Sequence, residues 1–138
     1  MIVKSLEASK INLKLYTMVL LYGKNEGLKN DVIHNLIKNK KNKINYEEKD
    51  IIDNYNQFIE SLLTNSLFED ERVIIIKRAT DKIIKIIDEI KNKNLENLII
   101  ILNADLLDKK SKLRTFFEKD KKVVCVPFYP DNDQTLTK

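Results

Sequence analysis

Residues 20–33 read LLYGKNEGLKNDVI, an apolar run that breaks at a glycine and passes into a helical pattern. That layout can cradle phosphate, with a strand, a turn whose backbone N–H groups face an anion, and a helix N-terminus behind them. Gly23 and Gly27 are the only glycines in the chain. The phosphate-loop pattern G-x-x-x-x-G-K-[ST], aligned on Gly23, puts its second glycine on Leu28, its lysine on Lys29 and its hydroxyl on Asn30. The second glycine lets the backbone wrap around phosphate, but here it stands one place early, at Gly27. Asparagine is a poor substitute for the hydroxyl that would bind magnesium. Glu26 puts a carboxylate where phosphate charge would sit. Lys29 is retained, but one match says little in a chain with 22 lysines.

Hydrolysis of a nucleotide also needs an acidic residue at the end of another strand, to hold magnesium and orient water. After VIII (73–76) come Lys77 and Arg78; after LIIIL (98–102) come Asn103, Ala104 and Asp105. Asn103 is a candidate polar sensor at a strand tip, although turns favour asparagine anyway. Two of the three chemical requirements fail. The turn is therefore expected to keep the strand-to-helix shape without the chemistry, and no catalytic residue, metal or cofactor is expected. His34, the only histidine, reads as a surface residue without a second ligand nearby in sequence. Cys125, the only cysteine, lies in the apolar run VVCVPF and reads as core. No G-x-S-x-G nucleophile motif occurs, and the pair Asp88–Glu89 falls on the wet face of a helix.

These residues need a framework to hold them. A length of 138 residues suggests one domain with a single core, and 43% hydrophobic with 33% charged residues fits a globular protein. Apolar runs fall well short of the ~20 residues that span a bilayer. The first residues lack the unbroken apolar segment of a signal peptide, and a lone cysteine fits a reducing compartment, so a cytoplasmic protein is expected. The net charge of +4 comes from 22 lysines and 3 arginines in a chain rich in Ile and Asn, which AT-rich codons encode. Arginine, the better reader of phosphates and base edges, is scarce. The lysine-rich run KNKKNKINYEEKD (38–50) reads as a solvated loop.

Strands are expected at 16–22, 72–78, 95–102 and 121–128, with a weak strand or turn at 43–47. Helical spacing runs through 27–39 (Leu28, Val32, Leu36, Ile37). A second helix, capped by Asp53 or Asn54, carries Tyr55, Phe58, Ile59, Leu62 and Leu63. A third, capped by Thr80 or Asp81, carries Ile83, Ile84, Ile86, Ile87 and Ile90. Asp108 is the expected cap of a fourth, with Leu113, Phe116 and Phe117. The order βαβαβαβαβ, with strands that are continuous apolar runs, predicts a three-layer α/β domain around a parallel sheet.

One stretch breaks the pattern. The second helix ends in LLTNSLFEDERVIII. Extended at ~100° per residue, it puts Leu67 roughly 110° and Phe68 roughly 150° from the centre of the apolar stripe. Two large apolar residues thus stand among Asn65, Ser66, Glu69, Asp70 and Glu71. Either they fold back as a lid on the core, or they form an apolar plug for a partner's pocket.

Four segments together carry a family resemblance: LLYGKNEGL, NSLFEDERVIII, NLIIILNADLLDKKSKLRTFFEK and VVCVPFYPDN. In that order and spacing the chain resembles the N-terminal domain of the delta subunit of bacterial DNA polymerase III, the clamp-loader wrench. The resemblance implies a degenerate AAA+ (RecA-like) base domain over residues 1–130, with 131–138 starting a linker to lid and collar domains. It implies no ATP binding and no catalytic site in this subunit of a DNA-directed DNA polymerase. It implies that Leu67 and Phe68, flanked by Asn65 and Ser66, bind the ring-shaped sliding clamp (beta) and hold the ring open for loading onto primed DNA in replication. Other clamp-loader subunits, gamma/tau and delta-prime, would be met mainly through the further domains, DNA only indirectly, and no membrane. Lys29 departs from the family pattern towards the active ATPase one. The rival readings are an ATP-binding AAA+ protein, a basic nucleic-acid module, and a delta-prime-like subunit. The last usually brings zinc-type cysteines and a Ser-Arg-Cys finger, which this sequence lacks.

Overall fold

The structure is a computed structural model and describes residues 1–65, 71–93 and 95–128. After a 3₁₀ turn at Ser5–Lys10 come β1 (Met18–Gly23), α1 (Glu26–Ile37), β2 (Asn42–Glu47), α2 (Glu48–Asp53) and α3 (Tyr55–Asn65). The chain continues with β3 (Arg72–Ala79), a 3₁₀ turn at Asp81–Ile83, α4 (Ile84–Lys93), β4 (Leu98–Ala104), α5 (Lys112–Lys119) and β5 (Val124–Phe128). The five strands form one parallel sheet in the order β2-β3-β4-β1-β5.

Side chains alternate across each strand, so a sheet covered on both faces needs apolar residues at every position. Val19, Leu21, Val73, Ile75, Ile99 and Ile101 pack with Val32, Ile33 and Ile37 of α1 on one face. Leu20, Tyr22, Ile74, Ile76, Ile100 and Leu102 meet Phe58 and Leu62 of α3, Ile87 of α4 and Phe117 of α5 on the other. The three-layer expectation holds, and Cys125 is buried in the core while His34 is exposed.

Three expectations change. The run 38–50 is not a loop: residues 42–47 pair in register with β3, and Glu48 opens α2. The weak strand or turn expected at 43–47 is thus a strand; at the sheet edge β2 leaves Asn42, Lys43 and Ile44 in water, which is why its hydropathy signal is weak. Leu63 is largely exposed rather than core, while Phe58, Ile59 and Leu62 are buried. The helix caps shift as well. Asn54 keeps the expected place before α3, where its carbonyl accepts the Phe58 N–H at 2.9 Å, but Ser111, not Asp108, caps α5 by accepting the Arg114 N–H at 3.2 Å. Thr80 Oγ1 accepts the Lys82 N–H at 3.2 Å and caps only the short 3₁₀ turn that precedes α4. Asp81 instead reaches across to the start of α5, where it accepts from Ser111 Oγ (2.7 Å), Leu113 N (3.0 Å) and Lys112 N (3.1 Å).

Candidate functional site

Parallel sheets bind ligands beyond the carboxyl ends of their strands, where neighbouring connections leave on opposite faces. Here α1 leaves β1 towards one face, and the connection after β4 leaves towards the other. The crevice between them has a volume of about 600 Å³ and is lined by Glu26, Lys29, Asn30, Lys77 and Asn103, among others. The phosphate-loop-like turn forms one wall.

That turn is too tight to surround a phosphate. Only Lys24 and Asn25 separate β1 from α1, and the Asn25 side chain caps the helix by accepting the Leu28 N–H at 3.3 Å. The helix therefore consumes Glu26 and Gly27, which an anion-binding loop would leave unwound. Gly23 has φ +122°, and a β-carbon there would lie 1.9 Å from the Phe128 carbonyl oxygen. It is the glycine that lets β1 run close against β5, where it pairs with Phe128. Gly27 has open space where a side chain would go, so it serves no close approach among the described residues. Leu28 packs on the α1 core and Asn30 is exposed.

Lys29 is 1% exposed. Its Nζ donates to the Ala104 carbonyl at 2.7 Å and pairs with Glu26 Oε1 at 3.0 Å. Asn103 at the tip of β4 donates from Nδ2 to Glu26 Oε2 at 3.2 Å. The lysine, the sensor-like asparagine and a carboxylate thus close a ring of contacts within the protein. A buried cation must be paired, and here the chain's own carboxylate pairs it. Opposite, Lys77 and Arg78 are exposed. Arg78 sits at a bulge with φ +57° and pairs with Glu47 at 3.4 Å. Among the described residues no group of three or more His, Cys, Asp or Glu could hold a metal ion. The buried cation of the crevice is thus already neutralised within the chain.

The opposite end of the sheet, where strands begin, contains an arrangement that sequence reasoning missed. Arg72, read only as the first residue of a strand, is 8% exposed, and its Nη2 donates to the carbonyl of Leu62 in the last turn of α3 at 3.4 Å. Burial pushes its guanidinium pKa below the usual arginine range. Its neighbour Glu71 pairs with Lys40 at 2.7 Å and accepts from Asn42 Nδ2 at its carbonyl at 3.2 Å. A charged residue opening an otherwise apolar strand was the available signal. Of the residues expected to meet a partner, Ser66, Leu67 and Phe68 lie outside the described residues, as does the tail from 129 onward. Asn65 is the last residue of α3.

A family model described as DNA polymerase III, delta subunit, matches residues 20–126. The chain belongs to that family. The match takes in the tightened turn, the Lys29–Glu26 pair, Arg72, three complete strands (β2, β3 and β4) and most of β1 and β5. No curated protein matches the chain in sequence. Among solved structures it is similar to RIF2 of Saccharomyces cerevisiae, with a TM-score of 0.59 and 16% identity over 91% of this chain and 53% of that one. It is also similar to PCH-2 of C. elegans, with a TM-score of 0.49 and 13% identity over 91% of this chain and 39% of that one. The chain thus spans about half the RIF2 chain, and that likeness establishes the AAA+-like α/β fold alone. Family membership implies a clamp-loader role. No described helix is long and apolar enough to cross a membrane.

Proposed function

We propose that this delta-family domain is a clamp-binding AAA+-like module whose contact residues are Leu67 and Phe68, with Asn65 and Ser66 flanking, and that its binding holds the ring of the sliding clamp open for loading onto primed DNA. The observation that carries the reading is the family match across residues 20–126, which contains the segment NSLF. Two structural facts support it. The nucleotide crevice is occupied by internal contacts of Lys29, so the site that a working ATPase would use is not what this domain offers. Among the described residues, the core face of α3 is made by Phe58, Ile59 and Leu62, all of which precede the segment NSLF.

An apolar plug entering a preformed pocket gives affinity from a small area, and loss of a central aromatic anchor typically costs ~2 kcal/mol or more. Ring opening follows only if the open clamp is bound more tightly than the closed one, because a ligand shifts an equilibrium only by what it distinguishes. Residues 1–130 would form this module and 131–138 would lead to further domains that join the other loader subunits. In a pull-down of purified sliding clamp by the full chain, Leu67→Ala with Phe68→Ala is expected to abolish capture while the thermal transition stays in place. An unfolded double variant would mean that the pair is core; a folded one that still captures the clamp would move the contact elsewhere.

A further inference from the structure

The contact ring around Lys29 is asymmetric. Its two donors are buried on regular elements: Lys29 is 1% exposed on α1, and Asn103 is 6% exposed near the end of β4. Their common acceptor is the Glu26 carboxylate, which belongs to the first turn of α1 and is 62% exposed. One donor meets each oxygen, Lys29 Nζ at Oε1 (3.0 Å) and Asn103 Nδ2 at Oε2 (3.2 Å). An ammonium and an amide N–H that converge on two oxygens of one solvent-facing group make a receptor for an oxyanion.

The backbone builds that receptor without help from the Glu26 side chain. β1 and β4 pair with Leu21 beside Asn103 and Tyr22 beside Ala104, and two residues carry β1 into α1. The Ala104 carbonyl accepts from Lys29 Nζ at 2.7 Å and fixes the ammonium at the strand tip. Among the described residues that line the crevice, Lys29, Lys77 and Arg78 balance Glu26, Glu47 and Asp105. Without the Glu26 carboxylate one positive charge is in excess, and the buried ammonium keeps a neutral carbonyl but loses its counter-ion. A buried charge in that state is costly, so the receptor gains by taking an anion from solution. The tightness of the turn is no obstacle, because the donors are side chains facing a crevice of about 600 Å³ rather than backbone groups wrapped around the ligand.

We infer that Lys29 and Asn103 form a latent binding site for a small oxyanion, and that Glu26 is its tethered ligand. A carboxylate three residues away on the same helix acts at a high effective concentration, so a free anion does not displace it in the unaltered chain. The contact ties α1 to β4 as a bound anion would, whatever the anion concentration outside.

The test is thermal unfolding of the full chain in sodium chloride, formate or phosphate at one ionic strength. Glu26→Ala is expected to melt below the unaltered chain in chloride. In ~50 mM formate or phosphate it should regain at least about half of that loss, beyond any shift the unaltered chain shows in the same salt. Glu26→Ala combined with Lys29→Met has no buried ammonium and should show no regain. If Glu26→Ala is unfolded in chloride, the same anions are expected to refold it, and failure to refold overturns the inference. So would a Glu26→Ala chain as stable as the unaltered one in chloride, equal anion shifts in the two chains, or a regain that survives Lys29→Met. Regain in formate alone supports a site for planar carboxylates, and regain in phosphate as well supports one for oxyanions at large.

Discussion

Lys29 Nζ lies 3.0 Å from Glu26 Oε1, three residues earlier on the same helix, so the one residue of the turn that matches an ATPase lysine is already paired with an anion from its own chain. The Glu26 side chain is 62% exposed, and the Lys29 side chain is almost fully buried. The pair therefore resembles a surface carboxylate folded down onto an interior cation. Calorimetry with ATP and magnesium is expected to show no submillimolar binding. Glu26→Gln should lower stability by about 1–3 kcal/mol, because it leaves an almost fully buried ammonium without its counter-ion while the Ala104 carbonyl still accepts from it. Tight ATP binding by the unaltered chain would refute this account of the crevice.

The two glycines should respond with opposite signs. Gly23→Ala meets both an unfavourable φ and the Phe128 carbonyl, and should cost roughly 3 kcal/mol in urea unfolding. Gly27→Ala adds a methyl group in open space inside α1 and should gain about 0.5–1 kcal/mol. Equal effects would mean that the turn has some other geometry.

Acid should loosen the α4–α5 side first. The Ser111 hydroxyl, then the Leu113 and Lys112 N–H groups, hold the Asp81 carboxyl below its ordinary 3.8; Lys91 does the same for Asp120. In each case the unfolded chain takes up the proton before the folded one does. The stabilisation is therefore complete above the ordinary value and is lost as pH falls through the lower, folded-state value. Urea midpoints measured between about pH 2 and 6 should fall on the acid side, and Asp81→Asn should flatten part of that slope. An identical slope in the variant would remove Asp81 from the account.

The sequence made the sheet legible because β1, β3, β4 and β5 are each covered on both faces and read as apolar runs. It marked β2 only as a weak strand or turn at 43–47, because Asn42, Lys43 and Ile44 face water and the pairing with β3 is carried by backbone groups that every residue shares. The misaligned turn was visible in the position of Gly27 and the presence of Glu26. That Glu26 would close onto Lys29 was not, because the contact also depends on Asn103, brought from far along the chain by the β1–β4 pairing. Asp81 was read as a local cap for the same reason: its partners at Ser111, Lys112 and Leu113 are neighbours only after folding. Arg72 was read only as the first residue of a strand; its contact with the Leu62 carbonyl depends on the end of α3 standing over it.

Parallel pairing puts every strand start at one end of the sheet and every strand finish at the other, separated by about 20 Å in a six-residue strand such as β1. Groups so far apart change stability and binding almost independently of each other. Substitutions around Lys29 at the finishing end can therefore leave the contacts of Arg72 at the starting end undisturbed, and the reverse: one scaffold carries two groups of contacts that can be altered separately.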